Sequence, residues 1–429
     1  MSYEKIVLPN GIRVILAPML SSEAVTTLVL CKAGSRYEGE VEAGISHYIE
    51  HMFFKGTAKR PTSLDLSQVV DGMGADFNAY TTKDHTGYYT KAKSNKIGVV
   101  LDLLSDIVSN SKLDGEEMER EKGVITQEIK MYEDNPLFHI DDMLEQTLFQ
   151  GNTLGRTIAG SRETVQAMTV ARLKDYMTRR YRPENMVIIL AGKIEYGFMD
   201  KVKNYFGCIY GSCEKKMDRE KKSEFEVFAS DQKEPRFNIL NKKTEQAQLD
   251  LGFHAYNVFD EKLPALRLLS VMLAGNISSR LFVRIREKMG LCYFIRSYVE
   301  EYQDTGYFSI HTGLDKNNIP KAVSAISEEL ARIKEEKVTE KELQMAKDYI
   351  SGKFALRLED SAQVADFYGN QELLEDRILT PEEKVKEIEK VTADEVLKVA
   401  KDILNLKDLS VAVIGDKILE KNVSKNLNF

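Results

Sequence analysis

An internal repeat constrains this chain more than any other feature. Thr169-Val-Ala-Arg-Leu-Lys opens a helical pattern, and the strand-like Val187-Ile-Ile-Leu-Ala-Gly192 follows it. Thr392-Ala-Asp-Glu-Val-Leu-Lys and Leu409-Ser-Val-Ala-Val-Ile-Gly415 reproduce that order. The interval from Thr169 to Gly192 equals that from Thr392 to Gly415, and the second copy follows the first by half the length of the chain. Each half also begins with strand-like segments and closes with helix then strand. Self-similarity at this scale decides the fold class, which is a duplicated α+β domain. The expected division is a first domain over 1–212, a linker over 213–235 and a second domain over 236–429. The linker, EKKMDREKKSEFEVFASDQKEP after Cys213, is charged and lacks sustained periodicity.

Composition excludes several function classes. Hydrophobic residues are 43% and charged residues 30%, the balance of a globular chain with a sizeable core. The net charge is −7 and no dense Lys/Arg block occurs, so a nucleic-acid footprint is missing. No run of 18 apolar residues occurs, so no membrane partner is expected. The start, MSYEKIVLPNGIRVILAP, goes directly into strand-like sequence without a basic then apolar leader. The four cysteines, at 31, 208, 213 and 292, show no CxxC pairing. They read as reduced thiols, and the expected location is cytoplasmic.

Along the first half, Lys5–Leu8 and Ile12–Leu16 flank an Asn10-Gly11 turn as a hairpin. Ala24–Lys32 is a second strand candidate, and residues 75–92 read as strand, turn and strand. Residues 44–54, Val99–Ser109 and Asp114–Glu133 are helical in pattern.

The 44–54 helix holds two of the six histidines, in His47-Tyr-Ile-Glu-His51. Residues i and i+4 share a helix face, so His47 and His51 can offer two imidazole nitrogens to one ion. Glu50 sits at the edge of that face, close enough to reach a water without being a ligand. Zinc accepts His and carboxylate donors, and HxxEH is the inverted form of the HExxH zinc motif. The bland alternative is an amphipathic helix with two polar-face histidines. A third ligand is sought on the helix Asp114–Glu133. Glu121 and Glu128 lie two helical turns apart, on one face beside Val124, Ile125 and Ile129. Helical geometry alone does not choose between them.

These motifs resemble the M16 metallopeptidases, the group of pitrilysin, insulinase and the mitochondrial processing peptidase. The family pattern is HxxEH-x76-E, and Glu128 stands at that spacing after His51. The surrounding text also fits: "GISHYIEHMFFKGT", "GADFNAYTTKDHTGYY", "REKGVITQEIKMYEDNP", "LGRTIAG" and "SSRLFVRIREKMGLCY". The likeness runs from about residue 3 to 416. "GNTLGRTIAG" carries Asn-Thr where members often carry His-Pro, and "AGNISSRLF" replaces a Gly-rich version. No long glycine-rich loop of the non-catalytic processing subunit is present.

The resemblance implies two halves, each an antiparallel-rich mixed sheet packed with helices. It implies a zinc endopeptidase with one Zn²⁺ per chain, on His47, His51 and Glu128. Glu50 would be the general base, and Glu121 would orient a ligand. Arg286 and Tyr293 match the pair that the second half brings to the substrate. Residues 265–275, near the position of the HxxEH helix in the repeat, contain no His or Glu. Peptide substrates, including unfolded or precursor segments, would add as a strand to Phe77-Asn78-Ala79-Tyr80, with Asn78 as a clamp. Short members pair as dimers around a chamber, so a homodimer is expected. A non-catalytic or partner-dependent subunit of a processing-type assembly is the competing reading. His85 and His139 read as loop residues, His254 and His311 as second-half strand residues, none of them ligands.

Overall fold

The computed structural model describes residues 2–195, 197–210, 225–375 and 377–429. Most of the expected linker at 213–235 falls outside these residues. The repeat appears as expected. Thr169 caps the helix Val170–Arg180 by accepting the Arg172 amide, and Thr392 caps Ala393–Ile403 through Glu395. The strands β6 (Met186–Gly192) and β11 (Leu409–Gly415) follow, and both are buried throughout.

The first sheet contains β1 (Glu4–Val7), β2 (Arg13–Pro18), β3 (Ala24–Cys31), β4 (Asp76–Thr81), β5 (Thr86–Lys93) and β6, in the order β1-β2-β6-β3-β5-β4. Only β2 and β6 run parallel; the other neighbours are antiparallel. The second sheet contains β7 (Arg236–Asn241), β8 (Ala247–Ala255), β9 (Cys292–Glu301), β10 (Gly306–Leu314) and β11, in the order β7-β11-β8-β10-β9. There β7 and β11 form the parallel pair. The first sheet minus β1 therefore has the topology of the second, and the fold is a duplicated, antiparallel-rich α+β architecture.

The two compact units interleave along the chain. One comprises 1–130, 156–226 and 355–380; the other comprises 131–155, 227–354 and 381–429. The helix Pro136–Leu148 buries Ile140, Met143 and Leu144 against Ala412 and Ile414 of β11. In the first unit the late helix Ser361–Leu374 lies on the first sheet. Gly369 leaves no room there for a methyl group, because a Cβ would come within 2.8 Å of Leu30 and Ile189 side-chain carbons. Thr26 Oγ1 and Ser361 Oγ are hydrogen-bonded at 2.8 Å. The opposite face of the first sheet carries a core that includes Val14, Val29, Tyr48, Ile49, Met52 and Leu104. Tyr48, Ile49 and Met52 belong to the helix Ile45–Phe53, so burying its apolar face leaves His47 and His51 at the margin of that core.

Two expectations need correction. Cys31 and Cys292 are free, but Cys208 is disulfide-bonded, so the four thiols are not all reduced. His139 lies in the helix Pro136–Leu148 and not in a loop, because Asn135 caps a helix that Pro136 starts.

Candidate metal centre

The helix carrying the pentad is set in place at its first residue. Gly44 has φ +91°, a region that side chains disfavour. A Cβ there would lie 2.4 Å from Ala159 O, and one on Gly160 would lie 2.3 Å from Ala43 O. The two Ala-Gly dipeptides thus pack backbone on backbone, which gives the "LGRTIAG" segment a role beside the site. The helix's first amides are satisfied by Glu38, whose carboxylate accepts from Gly44 N at 2.7 Å and Ser46 N at 2.9 Å. Burial pushes the Glu38 pKa up to about 7, against those two amide donors.

His47 Nε2 and His51 Nε2 stand 3.3 Å apart. Glu128 Oε2 lies 3.3 Å from His51 Nε2 and 3.6 Å from His47 Nε2. Zinc bonds of ~2.0–2.1 Å in tetrahedral geometry place donor atoms about 3.3–3.4 Å apart. The three atoms therefore already form the edges of one face of such a tetrahedron. This donor set fits zinc, with the fourth position left over.

Glu121 faces the other side of the same imidazole. Its Oε1 is 2.8 Å from His51 Nδ1, and its Oε2 is 2.5 Å from Lys55 Nζ. When the His51 ring is neutral, donating Nδ1–H to Glu121 turns its lone pair out at Nε2. Geometry thus separates the two carboxylates that periodicity left open: Glu128 groups with the histidine Nε2 atoms and Glu121 does not. Burial lowers the His51 pKa, but the Glu121 and Glu128 carboxylates overcome it and carry it up to about 9. Burial and the neighbouring His51 push His47 down to about 4. The hydrogen bond from His51 holds Glu128 below its ordinary value.

Glu50 points elsewhere. Its Oε2 accepts a 2.5 Å hydrogen bond from Thr81 Oγ1, and burial raises its pKa against that bond. Thr81 ends β4, the edge strand of the first sheet, which among the described residues pairs only with β5. The Phe77 ring packs 4.9 Å from Phe54, and Tyr80 Oη donates to Asp366 at 2.9 Å. Asn78 is exposed, and its Oδ1 accepts from Ala79 N at 2.9 Å. That amide therefore faces away from β5, on the open edge.

In the second unit the Arg286 guanidinium lies 5.8 Å from the Tyr293 ring and 4.7 Å from Phe282. Tyr293 is 73% exposed. The structure thus places this pair side by side. His254 and His311 occupy β8 and β10 as expected, and His85 lies in the turn between β4 and β5. His311 also groups with Asp141 and Asp250. The Arg296 guanidinium, 3.4 Å from His311 Nδ1, already supplies a cation there. Glu38, Lys55 and Thr81 escaped the sequence reading. Only Lys55, one helical turn beyond His51, leaves a signal in spacing.

Residues 13–162 match the model of insulinase, peptidase family M16, and residues 167–350 match that of the peptidase M16 inactive domain. An uncharacterized zinc protease of Bacillus subtilis, YmxG, is 34% identical over 95% of this chain and 96% of its own length. An uncharacterized zinc protease of Streptomyces coelicolor, SCO5738, is 30% identical over 95% of this chain and 88% of its own. The crystal structure of a protease from Helicobacter pylori superimposes with a TM-score of 0.89 at 21% identity, covering 96% of this chain and 99% of that one. A peptidase M16 inactive domain from Pseudomonas fluorescens gives a TM-score of 0.87 at 19% identity, covering 98% and 100%. These two structures share the fold.

Proposed function

The chain belongs to the M16 metallopeptidase family, and on that premise we propose that it is a zinc-dependent endopeptidase for peptides and unfolded or precursor segments. The observation that carries the reading is the three-atom face formed by His47 Nε2, His51 Nε2 and Glu128 Oε2, with Glu50 beside it but outside the donor set. A bound zinc ion supplies a Lewis acid for the scissile carbonyl and activates water. Glu50 takes the proton of the attacking water on its carboxylate and delivers it to the leaving nitrogen. Glu121 holds the His51 tautomer through Nδ1. Arg286 and Tyr293, from the second half, bind the substrate backbone and the developing oxyanion.

The substrate lies as an added strand along Phe77-Asn78-Ala79-Tyr80. Main-chain hydrogen bonds to a sheet edge supply affinity with little demand on sequence. A homodimer, with Arg286 and Tyr293 acting across its chamber, completes the site. Among the described residues no helix is long and apolar enough to cross a membrane.

The second reading is a non-catalytic or partner-dependent subunit, which the match of 167–350 to an inactive domain leaves open. Hydrolysis of a quenched fluorescent peptide library by the purified chain, with zinc content and light scattering on the same sample, separates the two. One zinc per chain, a dimeric mass and chelator-sensitive cleavage support the endopeptidase. Full zinc loading without cleavage supports the subunit.

A further inference from the structure

We infer that Thr81 is a positioning residue for Glu50 and ties the general base to the end of the substrate strand. This inference rests on the peptidase reading above. Among the described residues, the one hydrogen bond to the Glu50 carboxylate comes from Thr81 Oγ1, at 2.5 Å to Oε2. A length of about 2.5–2.7 Å is that of a hydroxyl donating to an ionised oxygen.

The local network dictates the direction of that bond. Thr81 and Thr86 face each other across the β4–β5 pair, with their hydroxyl oxygens 3.3 Å apart. Thr86 Oγ1 donates to the Ala33 carbonyl at 2.8 Å. A threonine hydroxyl has one proton to give. Thr86 has given its own, so it faces Thr81 as an acceptor only. Thr81 then has two acceptors in reach, a neutral hydroxyl at 3.3 Å and a carboxylate at 2.5 Å. The carboxylate takes the proton, and Thr86 completes the surroundings of Thr81 without competing.

Two consequences follow. The bond to Oε2 leaves both acceptor sites of Oε1 open to the water proton. Thr81 is also the last residue of β4, and Tyr80 and Ala79 precede it on the edge where a substrate strand docks. One residue therefore registers the reacting bond, through the strand, against the base that serves it. Misplacing such a group by about 1 Å costs on the order of a hundredfold in rate.

The test uses the full chain with Thr81→Val, which keeps the shape and removes the donor, and Thr81→Ser, which keeps the donor. Zinc content, kcat and KM on a quenched peptide, and a crystal structure of Thr81→Val are measured together. The expected result is a kcat about 10–100-fold lower for Thr81→Val, with KM and zinc content nearly unchanged. Thr81→Ser recovers most of kcat, and in the Thr81→Val crystal the Glu50 carboxylate leaves its place. A Thr81→Val enzyme as fast as wild type overturns the inference, as does a Thr81→Ser loss equal to that of Thr81→Val. If zinc-loaded wild type cleaves nothing, the peptidase reading fails, and the crystal decides about Thr81 alone: a Glu50 that stays in place refutes its positioning role.

Discussion

Replacing Glu121 tests how the metal centre is held. Glu121 is 3% exposed, and its carboxylate lies between His51 Nδ1 at 2.8 Å and Lys55 Nζ at 2.5 Å. Glu121→Gln keeps an acceptor for Nδ1–H and removes the charge. A charge-assisted hydrogen bond contributes ~1.5–3 kcal/mol and a neutral one ~0.5–1.5, so the substitution costs about 1–1.5 kcal/mol of His51 orientation and basicity. At about 1.4 kcal/mol per decade, zinc affinity falls about tenfold. Glu121→Ala removes the acceptor as well and belongs at the far end of the ~10–100-fold range known for such partners. Competition against a chromophoric zinc chelator measures both without any peptide. Affinities of both variants within twofold of wild type, in folded protein, would refute the reasoning. Loss of zinc as complete as in His51→Ala would refute it differently, by making Glu121 a ligand.

Zinc uptake should be linked to protons. His51, raised to about 9 by two carboxylates, carries a proton at pH 7, whereas His47, lowered to about 4, does not. Loading therefore displaces about one proton, and apparent affinity rises about tenfold per pH unit from 6 to 8 and levels above 9. Calorimetry in two buffers of different ionisation enthalpy counts that proton; a count of zero or two would contradict it. Gly44→Ala forces φ +91° on an alanine and drives its Cβ to 2.4 Å from Ala159 O. Denaturant melts should show a loss of about 2 kcal/mol or more. Ala79→Pro removes the amide on the open edge of β4, a position where a sheet tolerates proline. It should raise KM several-fold with zinc content unchanged, and an unchanged KM would exclude that edge as the docking strand.

The sequence made legible whatever is local or periodic. The capped helices after Thr169 and Thr392, the strands that follow them and the pentad helix are matters of spacing, and they appear where spacing puts them. The interleaving of the units was hidden, because the amphipathic pattern of Pro136–Leu148 does not say which sheet receives it, and Ser361–Leu374 has almost no such pattern to read. Glu121 and Glu128 were indistinguishable for a related reason. Two helical turns put them on one face, yet they lie about 10 Å apart along the axis, so each meets a different nitrogen of His51. Thr81 acts on the pentad helix from a strand that only the tertiary fold brings near, and Glu38 acts from the irregular stretch just before the helix, where no periodicity announces it.

The most direct test of the account compares wild type with Glu50→Gln, measuring peptide hydrolysis and zinc content on the same preparations. The substituted amide retains the size of the side chain and cannot take a proton from water. The account predicts about one zinc in both proteins, cleavage by wild type, and a loss of about 10²–10⁴-fold in kcat for the variant. Equal cleavage by the two proteins would contradict it.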